Sequence, residues 1–241
     1  MNAFAGLLLL IFTLSFVADC QAGYEAIDNA ISKLESHWAD IRYRSATDDK
    51  IRQFDALVKQ SRQLSRQYPN RAEPLIWEAI ILCTLAGEKG GLGALDMITQ
   101  SRALLLTAIE LDPNALAGSA QVTLGSLYYL VPGWPISFGD NDMAKTYLQA
   151  ALKINPEGID PNYFYGDFLL NRGEYQQAEH YFKKAIAAPE RPEQVLADSE
   201  LKQAAKRALE RATHKQGSQL NQFSVLLKSL LGFQLSDSKT E

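Results

Sequence analysis

The chain has 241 residues, 46% hydrophobic and 22% charged, with 15 glycines and 9 prolines; this is the make-up of a folded protein and excludes collagen-like, low-complexity and wholly disordered classes. Its length can bury a sizeable core without disulfides. A formal net charge of −4 with no basic stripe along the sequence argues against a general nucleic-acid binder, and three histidines and two well-separated cysteines leave no clustered zinc ligand set, so no nucleic acid, metal or cofactor is expected.

The first element is apolar. Ala3–Ala18 reads AFAGLLLLIFTLSFVA, sixteen residues, short of the roughly 20 that a bilayer span needs. It is assigned as a signal peptide over 1–22, although no Lys or Arg precedes it. Cleavage after Ala22 would place Cys20 and Ala22 at the two small-residue recognition positions. Two alternatives stay open. One is an uncleaved anchor. The other is a lipoprotein processed at Cys20, against which Asp19 stands, because that processing needs a small residue before the cysteine. Cleavage leaves a periplasmic chain that starts at Gly23 and keeps Cys83 as its single cysteine, so packing rather than a disulfide holds it. Membrane association is not expected after cleavage.

Beyond this segment every element is predicted as helix, near 24–44, 49–68, 72–86, 95–111, 114–130, 140–154, 161–171, 174–188 and 193–213. Asp48 and Asp140 are expected as N-caps, since a carboxylate can accept the orphan N–H bonds of a first turn. Four of these segments share a pattern. Leu57, Ser61 and Leu64; Ser101, Leu105 and Ala108; Ala144, Leu148 and Ala151; and Ala178, Phe182 and Ala185 each stand at i, i+4 and i+7, one helical face. Each set runs into a proline, which lacks a backbone donor and restricts the residue before it. These are Pro69, Pro113, Pro156 and Pro189, spaced by 44, 43 and 33 residues. The two longer units carry extra residues, Ala86–Asp96 (AGEKGGLGALD) and Leu130–Asp140 (LVPGWPISFGD), expected as two long loops side by side on one rim.

The segment Asn162–Pro189, NYFYGDFLLNRGEYQQAEHYFKKAIAAP, closely resembles a tetratricopeptide repeat. Gly166 takes the small-residue position where two helices cross, Gly173 the tight turn, and Tyr175, Ala178, Phe182 and Ala185 the packing face. The ELDPN and KINPEG endings match the same family's repeat boundary. The resemblance implies an all-α, tetratricopeptide-like helical-repeat solenoid of antiparallel helix pairs with a C-terminal capping helix. It also implies that first helices line a concave face that holds a protein or peptide partner. On those helices stand Ile76 and Ile80, Val122 and Tyr129, and Tyr163, Asp167 and Asn171. The candidate partner-binding residues are Tyr129, Tyr163, Asp167 and Asn171, with Trp134 on the Pro132–Asp140 loop; packing between repeats is the alternative for the tyrosines. Phe138 is expected to pin that loop to Tyr128 and the neighbouring Gly-rich loop, and Trp134 either tucks under in the same way or borders the recognition groove. Over roughly Asn70–Ala212 the order of elements is also similar to the T-component of TRAP transporters, which implies small-molecule binding as a second reading.

Nothing in the sequence assembles a catalytic centre. His37, His180 and His214 sit on separate helices, and Asp48–Asp49 and Asp140–Asp142 precede helices, where negative charge is favoured by the dipole. GEKGGLG (Gly87–Gly93) lacks the Gly-Lys-Ser/Thr ending of a phosphate loop. Cys83 is assigned to the core. The reading is therefore a non-enzymatic protein. Its domains are the signal peptide 1–22, a repeat domain 23–213, and a tail 214–241. That tail has a linker at Gln216–Gln219 and an apolar stripe of Leu220, Phe223, Leu227 and Leu230, expected to fold back or to form a homo-oligomer through 220–231. The helix after Pro192, with Val195, Leu196, Leu201, Ala205 and Leu209, is expected to cap the array.

Overall fold

A computed structural model describes residues 25–230, with side chains at all of them except 47, 48, 92 and 218–230. The signal segment, Cys20 and the polar tail therefore lie outside the described residues, and so do the side chains of the Leu220–Leu230 stripe. The described residues are helical: α1 (25–44), α2 (Thr47–Gln67), α3 (Ala72–Lys89), α4 (Leu92–Leu111), a short 3-10 turn (Ala115–Gly118), α5 (Ser119–Leu130), α6 (Asn141–Ile154), α7 (Ile159–Asn171), α8 (Tyr175–Ala187) and α9 (Val195–Leu230). Among them there is no strand, only one isolated bridge between Gly133 and Gly139.

The repeated face is the packing face. Of the twelve residues at i, i+4 and i+7, eleven are fully buried and only Leu64 is half-buried. The prolines act as expected: α2, α4, α6 and α8 end at Gln67, Leu111, Ile154 and Ala187, each two residues before its proline. The residue between, Tyr68, Asp112, Asn155 or Ala188, leaves helical geometry while its N–H still donates to the carbonyl four residues back.

The chain divides into two compact units. One holds the described residues up to Leu116 with Arg191–Ala197; the other holds Ala117–Glu190 and the described residues from Asp198 onward. In the first unit, Ile27, Ile31, Leu34 and Ile41 of α1 meet Phe54, Leu57 and Val58 of α2 and Trp77, Ile81, Leu82 and Leu85 of α3 in one core. Small polar residues let helices approach closely. Ser65 Oγ donates to the Pro74 carbonyl at 3.1 Å between α2 and α3, and Ser101 Oγ to the Ala79 carbonyl at 3.1 Å between α4 and α3.

In the second unit α5 pairs with α6, and α7 with α8. Gly166 of α7 is a crossing point as expected. A Cβ there would stand 2.9 Å from Phe182 Cε1 of α8. Gly125 does the same for α5, where a Cβ would stand 2.7 Å from Leu148 Cγ of α6. Gly173 turns the chain between α7 and α8 at φ +75°. Asn162, fully buried, donates through Nδ2 to the Pro156 and Gly158 carbonyls and ties the α6–α7 turn to α7.

Several expectations are corrected. The Ala86–Asp96 insertion is not a long loop. α3 runs on to Lys89 and α4 begins at Leu92, so only Gly90 and Gly91 interrupt the helices, both at positive φ. The helix expected from 114 starts at Ser119, because Leu116 (φ 47°) and Ala117 (φ 52°) are left-handed. That conformation costs about 1–2 kcal/mol per non-glycine residue, and it places Leu116 against the core of the first unit. Asp48 lies inside the first turn of α2, whose N-cap is Ala46. Asp140 caps α6, accepting from the N–H groups of Asp142 (2.8 Å) and Met143 (3.1 Å). The Gln216–Gln219 stretch is no linker, since α9 is helical through it. Val195, expected in the packing face of that helix, is exposed; Asp198, Ala205, Ala208 and Ala212 are the fully buried residues among those described there.

Candidate functional site

Four of the five candidate residues come together on α5 and α7. Tyr129 is the penultimate residue of α5, and its hydroxyl donates to Asp167 Oδ2 at 2.8 Å. Asn171, one turn beyond Asp167, donates through Nδ2 to the Asp167 carbonyl at 2.9 Å and to Oδ2 at 3.4 Å. Tyr163 stands one turn before Asp167, its ring beside Phe164 and Phe182. The i, i+4, i+8 spacing of Tyr163, Asp167 and Asn171 lays them along one side of α7, and the Tyr129 ring packs edge-on against Phe168, 5.6 Å between centroids.

Burial and the Asp167 charge both oppose ionisation here. They hold the Tyr129 phenol far above its ordinary range, burial being the larger cause. Tyr163 is raised for the same two reasons, with Arg211 and Arg207 acting the other way. Both phenols are therefore neutral donors at any physiological pH. Tyr129 supplies a hydrogen bond, and both supply aromatic surface. Tyr129 packs through its ring and fixes Asp167 through its hydroxyl.

Trp134 belongs to a separate feature, the loop 131–140 between α5 and α6. This loop is braced. The N–H of Gly139 donates to the Pro132 carbonyl at 2.9 Å, that of Asp140 to the Tyr128 carbonyl at 2.8 Å, and those of Ile136 and Ser137 to the Gly133 carbonyl at 3.1 and 3.2 Å. A Cβ on Gly139 would run into the Val131 carbonyl, so glycine permits the closure. Phe138 does pin the loop, its ring 5.3 Å from that of Tyr128, which in turn stacks on Tyr147. Trp134 does not tuck under. It is 91% exposed, with Ile136 at 67% and Leu130 at 62%.

Other expectations are revised by burial. Ile76 and Val122 are core residues, so neither can meet a partner. Cys83 is half-buried rather than core; burial pushes its thiol up to about 11, against the opposing hydrogen bond from Ser101, and leaves it protonated at neutral pH. His37, His180 and His214 are all exposed. Leu130 and Ile136 were missed by the sequence reading, although an uncharged stretch from 130 to 139 was the available signal. Among the described residues no helix is long and apolar enough to cross a membrane.

A tetratricopeptide repeat family model matches residues 136–157 and 159–191, stretches that contain α6, α7 and α8 whole. Among solved structures, TTC0263, a thermophilic TPR protein of Thermus thermophilus, aligns with a TM-score of 0.51 at 16% identity, over 80% of this chain and 95% of that one. Two crystal structures of MamA align with TM-scores of 0.41. One has 19% identity over 74% of this chain and 99% of its own; the other has 18% over 78% and 95%. No curated protein matches the chain. Neither the family model nor these structures bears on the TRAP-transporter T-component. The chain thus has a tetratricopeptide-like helical-repeat fold, and at these identities the likeness extends to the fold alone.

Proposed function

We propose that the chain is an exported, non-enzymatic helical-repeat protein that binds a protein or peptide partner through the α5–α7 face and the neighbouring Trp134 loop. One observation carries the reading: a loop braced by four backbone hydrogen bonds and the Phe138–Tyr128 contact leaves its tryptophan 91% exposed. A free loop of this composition would collapse its aromatic onto the nearest apolar surface. A braced one holds the ring in water, which is unfavourable alone and favourable once a partner covers it. Because the backbone is already ordered, binding there loses little conformational entropy. Tyr129 and Tyr163 add aromatic surface, which interfaces favour, and Asp167 and Asn171 add fixed polar groups of the kind found at an interface rim.

Photo-cross-linking tests the reading. With p-benzoylphenylalanine at position 134 in the native host, irradiation should yield an adduct of defined mass, absent when the same group replaces exposed Gln203 of α9. No adduct at 134, or the same adducts at both positions, would overturn it. Export rests on the Ala3–Ala18 run. The native protein should begin at Gly23 in the periplasmic fraction by N-terminal sequencing; a start at Met1 in the cytosolic fraction would sink that part.

A further inference from the structure

Helix α9 runs unbroken from Val195 to Leu230. Its packing fades well before that end. Ala205, Ala208 and Ala212 are fully buried, whereas Thr213, His214, Lys215 and Gly217 are exposed and Gln216 is half-buried. At 100° per residue those last five positions go right round a helix, so α9 is passing the edge of the packed body by Gly217. The long Lys215 side chain still reaches back, its ammonium 5.9 Å from the centroid of the Tyr175 ring at the start of α8. From Gly217 to Leu230 the helix advances about 20 Å further.

The sequence of that last stretch is apolar in a particular register. Leu220, Phe223, Leu227 and Leu230 stand at i, i+3, i+7 and i+10, the a and d positions of two heptads, and Leu226 takes the g position beside them. From Gln216 to Gly232 the single charged residue is Lys228, at a b position off the seam. A seam of this kind alone in water is unfavourable. Folding back onto the same unit needs a break between Ala212 and Leu220, and α9 is helical through the Gln216–Gln219 stretch where a linker was expected. Lying on a membrane surface needs a cationic face, and one lysine does not make one. A second copy needs neither, because an a/d seam is complementary to itself and a twofold axis lets each copy cover the other. Two heptads are short for an isolated coiled coil, yet the packed part of α9 already nucleates this helix, so pairing does not carry the cost of starting one. We infer that residues 220–230 of α9 are an interface between two copies of this chain, seam against seam.

The test is sedimentation equilibrium of the chain purified from its native host, over about a hundredfold range of micromolar concentration, since self-association follows mass action. The mass should rise from that of one chain toward twice that value or a higher whole multiple. Leu227→Asp, at an a position, should weaken association at least tenfold. Phe223→Leu, which keeps the seam apolar, should preserve it within a fewfold. Val225→Asp, at the f position opposite the seam, should leave it unchanged, which separates a seam from general stickiness. In dilute solution, where wild type is a single chain, Leu227→Asp should melt with wild type, because the stripe lies beyond the packed body. A single-chain mass at every concentration, association indifferent to Leu227→Asp, or an equal loss with Val225→Asp would each overturn the inference. A lower dilute melt for Leu227→Asp would mean that the stripe folds back on its own chain. Sedimentation of single chains with phosphatidylglycerol vesicles, lost in Leu227→Asp, would mean that lipid covers it. Either result would also overturn the pairing.

Discussion

Leucine at Gly166 or at Gly125 should destabilise the second unit sharply, by about 1–3 kcal/mol or more at each site. The cause is helix approach. A Cβ at Gly166 would meet Phe182 Cε1 at 2.9 Å and the Ala178 carbonyl at 3.4 Å, and one at Gly125 would meet Leu148 Cγ at 2.7 Å and its backbone nitrogen at 3.1 Å. The second contact is the less forgiving, because backbone cannot rotate out of the way. At about 2–4 °C per kcal/mol for a chain of this size, the shift is readily measured by thermal melting. Gly87→Ala is the control. It lies in α3 with open space around it, and alanine there should be neutral or stabilising by up to about 1 kcal/mol. Phe182→Ala should cost about 3–5 kcal/mol, as for other buried aromatics. If Gly166 and Phe182 truly share one contact, Gly166→Ala with Phe182→Leu should cost less than the sum of the two single changes. Strict additivity, or a Gly166→Leu melt equal to wild type, would show that α7 and α8 do not meet there.

Periodicity made most of the fold legible. A seryl or alanyl face at i, i+4 and i+7 that runs into a proline states both which side packs and where the helix ends, and neither depends on distant residues. What escaped was set by tertiary context. Gly125 has the same role as Gly166, yet no matching turn or repeat boundary surrounded it to mark its place. The Gly87–Gly93 stretch looked like a loop because glycine disfavours helix by roughly 1 kcal/mol against alanine. Packing of the buried Leu85, Ala86 and Ala94 on either side outweighs that cost, and only Gly90 and Gly91 leave helical geometry. The left-handed Leu116 and Ala117 carry no local signature at all, since their conformation is adopted for the sake of a long-range contact.

The candidate site divides in the same way. Tyr163, Asp167 and Asn171 could be placed on one face by counting residues, because they share a helix. That Tyr129 would reach Asp167 follows only from how α5 lies against α7, 38 residues apart in sequence. Ile76 and Val122 satisfied the same helical count and yet are buried, since a count of four gives a face but not whether that face is covered.

Alanine at Trp134 should separate binding from stability. Its ring is 91% exposed, and no hydrogen bond of the loop uses its side chain. Truncation should therefore leave the melt within about 0.5 kcal/mol of wild type, as for surface positions generally. Partner affinity should fall by about 2 kcal/mol or more, the scale of an aromatic interface anchor, which is about 30-fold in the dissociation constant. Phe138→Ala should behave differently. Its ring rests on Tyr128, so its loss should free the loop, lower the melting temperature and weaken binding only through the cost of reordering the chain. That cost should shrink when the loop is restrained by other means, whereas the loss at Trp134 should not. Trp134→Phe should recover part of the affinity, because a smaller ring fills part of the same pocket on the partner. Both quantities can be measured on the same samples, by titration of the cross-linked partner and by thermal melting. A lower melt for Trp134→Ala with affinity intact at low temperature would make the tryptophan a brace for its loop and remove it from the binding surface.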